Sequence, residues 1–405
     1  MRLPKLSELD RDQSAIYNGA PPEGTVLIMG PPGTGKTVIA FHRAHLLSEI
    51  GRNPRVIMYN KVLAKYASSR GNVAQKVEVS TLHKWAYGWW RKIGGNSQPP
   101  TVDGDRFAHD WFAIQGAAAQ KVASLKGANL VNWGHLIIDE GQDFPPSMYE
   151  CLNLTMKIAN SFGSKPSLAL TVLADENQRL TPTRNSKIEE IRVSLGLHVS
   201  DRNVFSLKKN YRNSREVAEF AGCFYVGLAT GIPTTPTRSG DKPVVSLVSR
   251  DSIGKFLNAC VDKIVRYAKV HRTQEIAVIV MRDKIRSSMY NRLKEKFNEE
   301  NIEVQSYTSR EDQELPAELL SFDKPGHITV INAASAKGLE FDAVFIVDPC
   351  ALMAAAGSED LNVKMTLYVL CSRARAFLNV MLLEDDNAKK LLQWVPTGLY
   401  EREVL

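Results

Sequence analysis

The 405-residue chain offers little that would place it in a membrane or in an oxidising compartment. No uninterrupted apolar run reaches the ~18 residues that a membrane-spanning helix needs. The best candidate, residues 343–357, is broken by Asp348 and Pro349. The opening stretch MRLPKLSELD carries Glu8 and Asp10 where the apolar centre of a signal peptide would lie, so a cytoplasmic location is expected. Cys151, Cys223, Cys260, Cys350 and Cys371 are scattered, odd in number and show no C-x-x-C or Cys/His spacing. That argues against a disulfide framework or a zinc site and fits reduced thiols used as core fillers. Blocks of like charge, low-complexity tracts and internal repeats are all missing, which speaks against disordered tails and solenoids.

What is present is an ordinary globular composition, 44% hydrophobic and 23% charged. At about 150 residues per domain the length allows two or three domains with sizeable cores. The net charge of +7 leaves room for a polyanionic partner held through counterion release. With no basic block in the sequence, a basic surface must be assembled by folding.

Two stretches alternate strand-like apolar runs with amphipathic helical patterns, the signature of parallel α/β sheets. The first holds TVLIM (25–29), a helix over 36–50, RVIMY (55–59), HLIID (135–139) and SLALTVLAD (167–175). The second holds PVVSLV, EIAVIVM (275–281), a helix through Lys296, IEVQSY (302–307), HITVIN (327–332), FDAVFIVD (341–348) and FLNVML (377–382). The polar passage 181–203, with weak periodicity, reads as the junction, giving domains 1–200 and 201–405.

Residues 84–133 break the alternation. They hold five of the six tryptophans, Trp85, Trp89, Trp90, Trp111 and Trp133, in a helical pattern, which predicts a small inserted subdomain of about 86–134. Its segment HKWAYGWWRKIG interleaves aromatic and basic residues as a base-stacking platform would. The same spacing fits one apolar helix face packed into a small core, and that reading is preferred here.

GPPGTGKT, from Gly30 through Pro31, Pro32, Gly33, Thr34, Gly35 and Lys36 to Thr37, follows a strand and opens a helix. This is the context in which the motif binds a phosphate chain. The glycines turn backbone N–H groups inward, Lys36 reaches the outer phosphates, and the Thr37 hydroxyl can coordinate Mg²⁺. Downstream, HLIIDEGQDFPP ends a buried strand in Asp139 and Glu140. One carboxylate suits the metal; the other can orient or deprotonate an attacking water.

DEGQD resembles the D-E-x-Q-D motif of superfamily 1 helicases of the UvrD/Rep type, and further motifs follow in the family's order. Gln13 is similar to the glutamine that reads adenine. VIMYNKVLAKYA (56–67) and VSTLHKWA (79–86) resemble two segments that grip single-stranded DNA, which marks Asn60, Lys61, Thr81 and His83 as strand-binding candidates. LKKNYRNSREVAEF (207–220), SAKGLEFDAVF (335–345) and LYVLCSRARAFL (367–378) are like the remaining motifs.

The resemblance implies two RecA-like P-loop domains with parallel sheets and a small helical insertion in the first. It also implies an ATP- and Mg²⁺-dependent motor. Arg212 and Arg373 would neutralise the γ-phosphate, Gln178 would contact the same phosphate, Tyr211 would stack on the base and Glu340 would hold the ribose. The SAKGLEF motif suggests 3′→5′ movement.

Four features depart from the family. Val38 stands where an arginine packs on adenine, and Ala334 where a histidine faces DNA. No aromatic follows Gln178 until Phe205, although the family places a base-stacking tryptophan there. The second domain also lacks a long insertion. The expected function is therefore an ATP-dependent single-stranded-DNA translocase or helicase, with RNA as the other polymer to consider. The alternative is a regulatory DNA-dependent ATPase that controls a protein partner such as a nuclease.

Overall fold

The central apolar runs have no polar face, which suits parallel strands covered by helices on both sides. A computed structural model describes residues 4–58, 77–95, 98–102, 105, 108–124, 126–178, 185–228, 230–249, 252–298, 302–307, 320–321, 326–354 and 359–405, with Gln178 by its backbone alone. The chain divides into two compact units, the first of the chain up to Pro31 and Gly35–Leu207, the second of Lys208–Leu405 together with Pro32–Thr34.

In the first unit the strands are β1 (Gly24–Met29), β2 (Pro54–Met58), β3 (Glu78–Thr81), β4 (His135–Ile138), β5 (Ala169–Ala174) and β6 (Val204–Ser206). They form one sheet in the order β3-β2-β4-β5-β1-β6, with every neighbouring pair parallel. Every residue of β4 and β5 is buried. Because β5 lies between β1 and β4, whatever follows β5 is held between the loops that follow the other two.

The helices of this unit are α1 (Arg11–Gly19), α2 (Lys36–Glu49), α3 (Leu82–Ile93), α4 (Trp111–Val122), α5 (Gly127–Leu130), α6 (Pro146–Ser161) and α7 (Ile188–Ser194). Helices α3 to α5 form the insertion between β3 and β4. Trp85 and Trp89 stack at 5.3 Å between ring centroids, and Trp133 meets Trp89 edge-on at the same distance. All three belong to the buried core, and the Trp89 indole donates to the Val131 carbonyl at 2.9 Å. The tryptophans spaced by four are thus core, as their periodicity suggested.

The passage expected to be a junction contributes to this unit instead. Ile188, Ile191 and Leu195 are buried in its core, and Val204–Ser206 pairs with β1, so the first sheet continues past residue 200. The apolar positions here are few and set among charges, so their periodicity is faint in the sequence.

The second unit holds β7 (Val244–Val248), β8 (Ile276–Val280), β9 (Glu303–Tyr307), β10 (His327–Asn332), β11 (Phe341–Val347), β12 (Ala374–Leu383) and β13 (Glu401–Val404). Their order is β13-β7-β12-β11-β8-β10-β9, again parallel throughout. The helices are α8 (Arg215–Gly222), α9 (Ile253–Val270), α10 (Asp283–Lys296), α11 (Ala333–Ala336), α12 (Asp360–Cys371) and α13 (Asp386–Gln393). Helix α9 shows why such segments fold as they do: Ser252 caps it by accepting from the Lys255 N–H, and Phe256, Leu257, Cys260, Val261, Ile264 and Ala268 line its buried face. These residues pack with Val278, Val280, Phe345 and Met381 of the sheet.

The chain is therefore an α/β protein of two RecA-like domains, with a small helical insertion in the first. Among the described residues no helix is long and apolar enough to cross a membrane. All five cysteines are free, and four of them are buried.

Candidate active site

The candidate residues of the first unit gather at the carboxyl ends of its strands, where parallel sheets leave room for ligands. The phosphate loop follows β1, Asp139 follows β4, Asp175 follows β5 and Thr81 closes β3. Gly33 and Gly35 adopt φ of +80° and +85°, a left-handed conformation that side chains resist. Gly35 also caps α2 without contributing a side chain, so the first-turn N–H groups of that helix face outward as an anion cradle.

Gln13 is held against this loop. Its backbone and side chain form a reciprocal cap with Asp10: Asp10 Oδ1 accepts from Gln13 N at 2.8 Å, and Gln13 Oε1 accepts from Asp10 N at 3.3 Å. The amide nitrogen is left facing Gly35, where an added Cβ would come within 2.4 Å of it. Lys36 Nζ donates to the carbonyls of Gly30 at 2.7 Å and Pro31 at 3.2 Å, and lies 3.8 Å from Asp175.

The acidic end of β4 is tied to both neighbours. Thr37 Oγ1 donates to Asp139 Oδ2 at 2.7 Å. Asp139 Oδ1 accepts from the Glu140 N–H at 3.0 Å, and Glu140 adopts φ of +53°. Gln142 Nε2 donates to Glu140 Oε2 at 2.6 Å, while Gln142 Oε1 accepts from the Asp175 N–H at 2.8 Å. One amide thus joins the second carboxylate of the motif to the end of β5. Burial and then the Glu140 carboxylate push the Asp139 carboxyl above its ordinary range; the Thr37 hydroxyl and the Lys36 charge oppose them. Gly141 is the residue that lets the chain turn here, since a Cβ would meet Val172 Cγ1 at 2.6 Å and the Tyr149 hydroxyl at 2.9 Å.

Thr37 and Asp139 supply a hydroxyl and a carboxylate oxygen side by side, the hard donor pair that suits Mg²⁺. Among the described residues no cluster of three or more His, Cys, Asp or Glu forms a metal cage. A Mg²⁺ ion needs none, because it keeps several waters and takes one or two protein ligands plus substrate phosphate.

Of the strand-binding candidates, Thr81 caps α3 by accepting from the Lys84 N–H, and His83 Nδ1 lies 3.1 Å from His109 Nε2. Asn60 and Lys61 lie outside the described residues, as does the side chain of Gln178.

In the second unit Glu340 sits between two guanidinium groups. Arg212 Nε donates to it at 2.6 Å and Arg375 Nη2 at 2.8 Å, and Arg375 also pairs with Asp342 at 3.0 Å. Burial would raise the Glu340 carboxyl, but the Arg212 and Arg375 charges hold it down at about 2. Arg212 Nη1 is buried without a hydrogen-bond partner among the described residues. Arg373 is buried and donates to the Val369 carbonyl at 2.9 Å and the Leu339 carbonyl at 3.3 Å. Tyr211 is exposed, with Lys209 Nζ 5.0 Å from its ring centroid.

The structure therefore brings Lys36, Thr37, Asp139, Glu140 and Gln13 together in one unit and Arg212 and Glu340 in the other. Arg375 was missed because only the paired spacing of SRAR hinted at it. The bridging role of Gln142 depends on strand order, which no local pattern announces.

A family model described as an AAA domain matches residues 12–183. The chain is similar to the "Putative ATP-dependent DNA helicase R568" of Acanthamoeba polyphaga mimivirus, at 25% identity over 295 residues. That match covers 70% of this chain and 39% of the viral protein, so the chain spans about two-fifths of the length of this curated relative. Among solved structures it matches the C-terminal domain of a "possible DNA helicase" from Lactobacillus plantarum WCFS1 at 22% identity, with a TM-score of 0.34. The match covers 47% of this chain and 98% of that one.

Proposed function

We propose that the chain is a helicase-like ATPase, a compact motor of the UvrD/Rep type that hydrolyses ATP to move 3′→5′ along single-stranded DNA. The observation that carries this reading is the hydrogen-bonded chain Thr37–Asp139–Glu140–Gln142–Asp175, which links the phosphate loop to the ends of both β4 and β5. A merely structural P-loop has no need for a buried pair of carboxylates joined to a third strand.

In this reading Lys36 and the first-turn N–H groups of α2 hold the phosphates, and Gln13 reads the adenine. Thr37 and Asp139 would hold Mg²⁺, which would supply neutralisation of phosphate charge when bound. Glu140, steadied by Gln142, orients the attacking water and accepts its proton. Arg212 offers its unpartnered Nη1 to the outer phosphate, as an arginine finger does. Glu340, Arg373 and Tyr211 complete the second unit's share, and Thr81 and His83, with Asn60 and Lys61, contact the strand. Through Gln142, loss of the outer phosphate is felt at Asp175 and passed to the residues after β5.

The regulatory alternative, an ATPase acting on a protein partner such as a nuclease, rests on the missing aromatic after Gln178. ATPase rate with and without oligonucleotide tests the main reading: stimulation by single-stranded DNA is expected, and no stimulation by DNA or RNA overturns it.

A further inference from the structure

Helix α3 sorts its residues by face. Leu82, Trp85, Ala86, Trp89 and Ile93 enter the core, while His83, Lys84, Tyr87, Gly88, Arg91 and Lys92 are exposed. Lys84, Tyr87 and Arg91 lie at i, i+3 and i+7 and so form one stripe. The helical rise sets the two cations about 10 Å apart along the axis.

Two features separate this stripe from an ordinary solvated helix face. The sequence from Val79 to Val102 contains no Asp or Glu, and among the described residues Lys84, Arg91 and Lys92 make no ion pair. Pairs do form at other exposed cations, Lys389–Asp386 and Lys390–Asp360. The ring of Tyr87 is also left open: it is 41% exposed, and a Cβ added at the neighbouring Gly88 would meet nothing within 4 Å. An aromatic with a free face among unpaired cations is the arrangement that holds a single strand by stacking and phosphate contact.

We propose that this outer face of α3 binds single-stranded DNA, with Tyr87 stacked under a base and Lys84, Arg91 and Lys92 holding the flanking phosphates. The proposal rests on the motor reading and extends it. The face starts at Thr81 and His83, where strand contact is already proposed, and the ~10 Å between Lys84 and Arg91 accommodates about three stacked nucleotides at ~3.4 Å each. Tyr87 then supplies the base stack that the sequence after Gln178 lacks.

The test is binding of the full chain to a labelled oligo(dT) over a salt series, read by fluorescence anisotropy beside ATPase stimulation. Tyr87→Ala is expected to weaken binding roughly ten-fold with its salt slope unchanged, and Tyr87→Phe to restore it. Replacing Lys84, Arg91 and Lys92 together with Gln is expected to lower the log–log salt slope by about 2. All these positions are exposed, so the variants keep the fold and the basal ATPase. If the wild type binds and is stimulated but every variant matches it, the α3 assignment is wrong and the motor reading stands. If the wild type neither binds nor is stimulated, both fall. In a parallel series with oligo(U), losses confined to the RNA overturn the DNA assignment.

Discussion

Thr37 Oγ1 donates to Asp139 Oδ2 across 2.7 Å, joining the first turn of α2 to the end of β4. The two oxygens stand side by side, and they are the pair proposed to hold Mg²⁺. Thr37→Ala leaves Asp139 short of a donor in a fully buried setting. Expected are a destabilisation of about 1–3 kcal/mol in urea titration and a fall in ATP hydrolysis of roughly 10²-fold. Thr37→Ser should retain most of both.

Gly35 adopts φ of +85°, which a side chain resists, and an added Cβ would come within 2.4 Å of Gln13 Nε2 and displace that amide. Gly35→Ala is expected to abolish binding of a fluorescent ATP analogue. Gln13→Ala removes the amide and leaves the loop glycines in place, so it should keep phosphate binding while narrowing the preference for ATP over GTP, read as a ratio of the two dissociation constants.

Glu340 contributes pH-dependent stability to the second unit. Its carboxyl is held at about 2 by Arg212 and Arg375, below its ordinary 4.5. A depressed carboxyl stabilises the fold above the unfolded value and loses that contribution as pH falls from about 4.5 to about 2. Glu340→Gln is therefore expected to cost about 3 kcal/mol at pH 7 in denaturant titrations, with the deficit shrinking toward pH 2.

Asp348 behaves in the opposite sense. Burial, aided by Asp385 and opposed by Arg282, raises its carboxyl to about 6. The folded state then holds a proton that the unfolded state releases, so stability declines as pH rises from about 4 to about 6. Asparagine keeps the size and tolerates the φ of +49° found there. Asp348→Asn should raise thermal stability at pH 8, by about 1–3 kcal/mol at most, and leave it unchanged at pH 4.

The central strands were legible because continuous runs such as residues 135–138 and 276–280 read as buried β-structure whatever their surroundings. Val204–Ser206 and Glu401–Val404 were not, since each is short or polar and becomes a strand only by pairing at a sheet edge. For the site, Lys36, Thr37, Asp139 and Glu140 follow from motif spacing. The link from Gln142 to Asp175 does not, because it exists only once β5 lies between β1 and β4. Arg375 was hidden for a similar reason: its partners Glu340 and Asp342 come from β11 and the turn before it, more than thirty residues away. Helix α3 shows the limit of periodicity: a spacing of four placed Trp85 and Trp89 in the core, and only the fold revealed Tyr87 standing open on the other side.

Strand separation measured beside ATP hydrolysis, on duplexes with a 3′ or a 5′ single-stranded tail and on matched RNA, decides whether the chain is a motor. ATP-dependent separation of the 3′-tailed DNA duplex is expected, with ATPase stimulated by its tail and both lost in Lys36→Ala. Stimulated hydrolysis without separation on any substrate would favour control of a protein partner, and hydrolysis indifferent to every oligonucleotide would contradict the motor altogether.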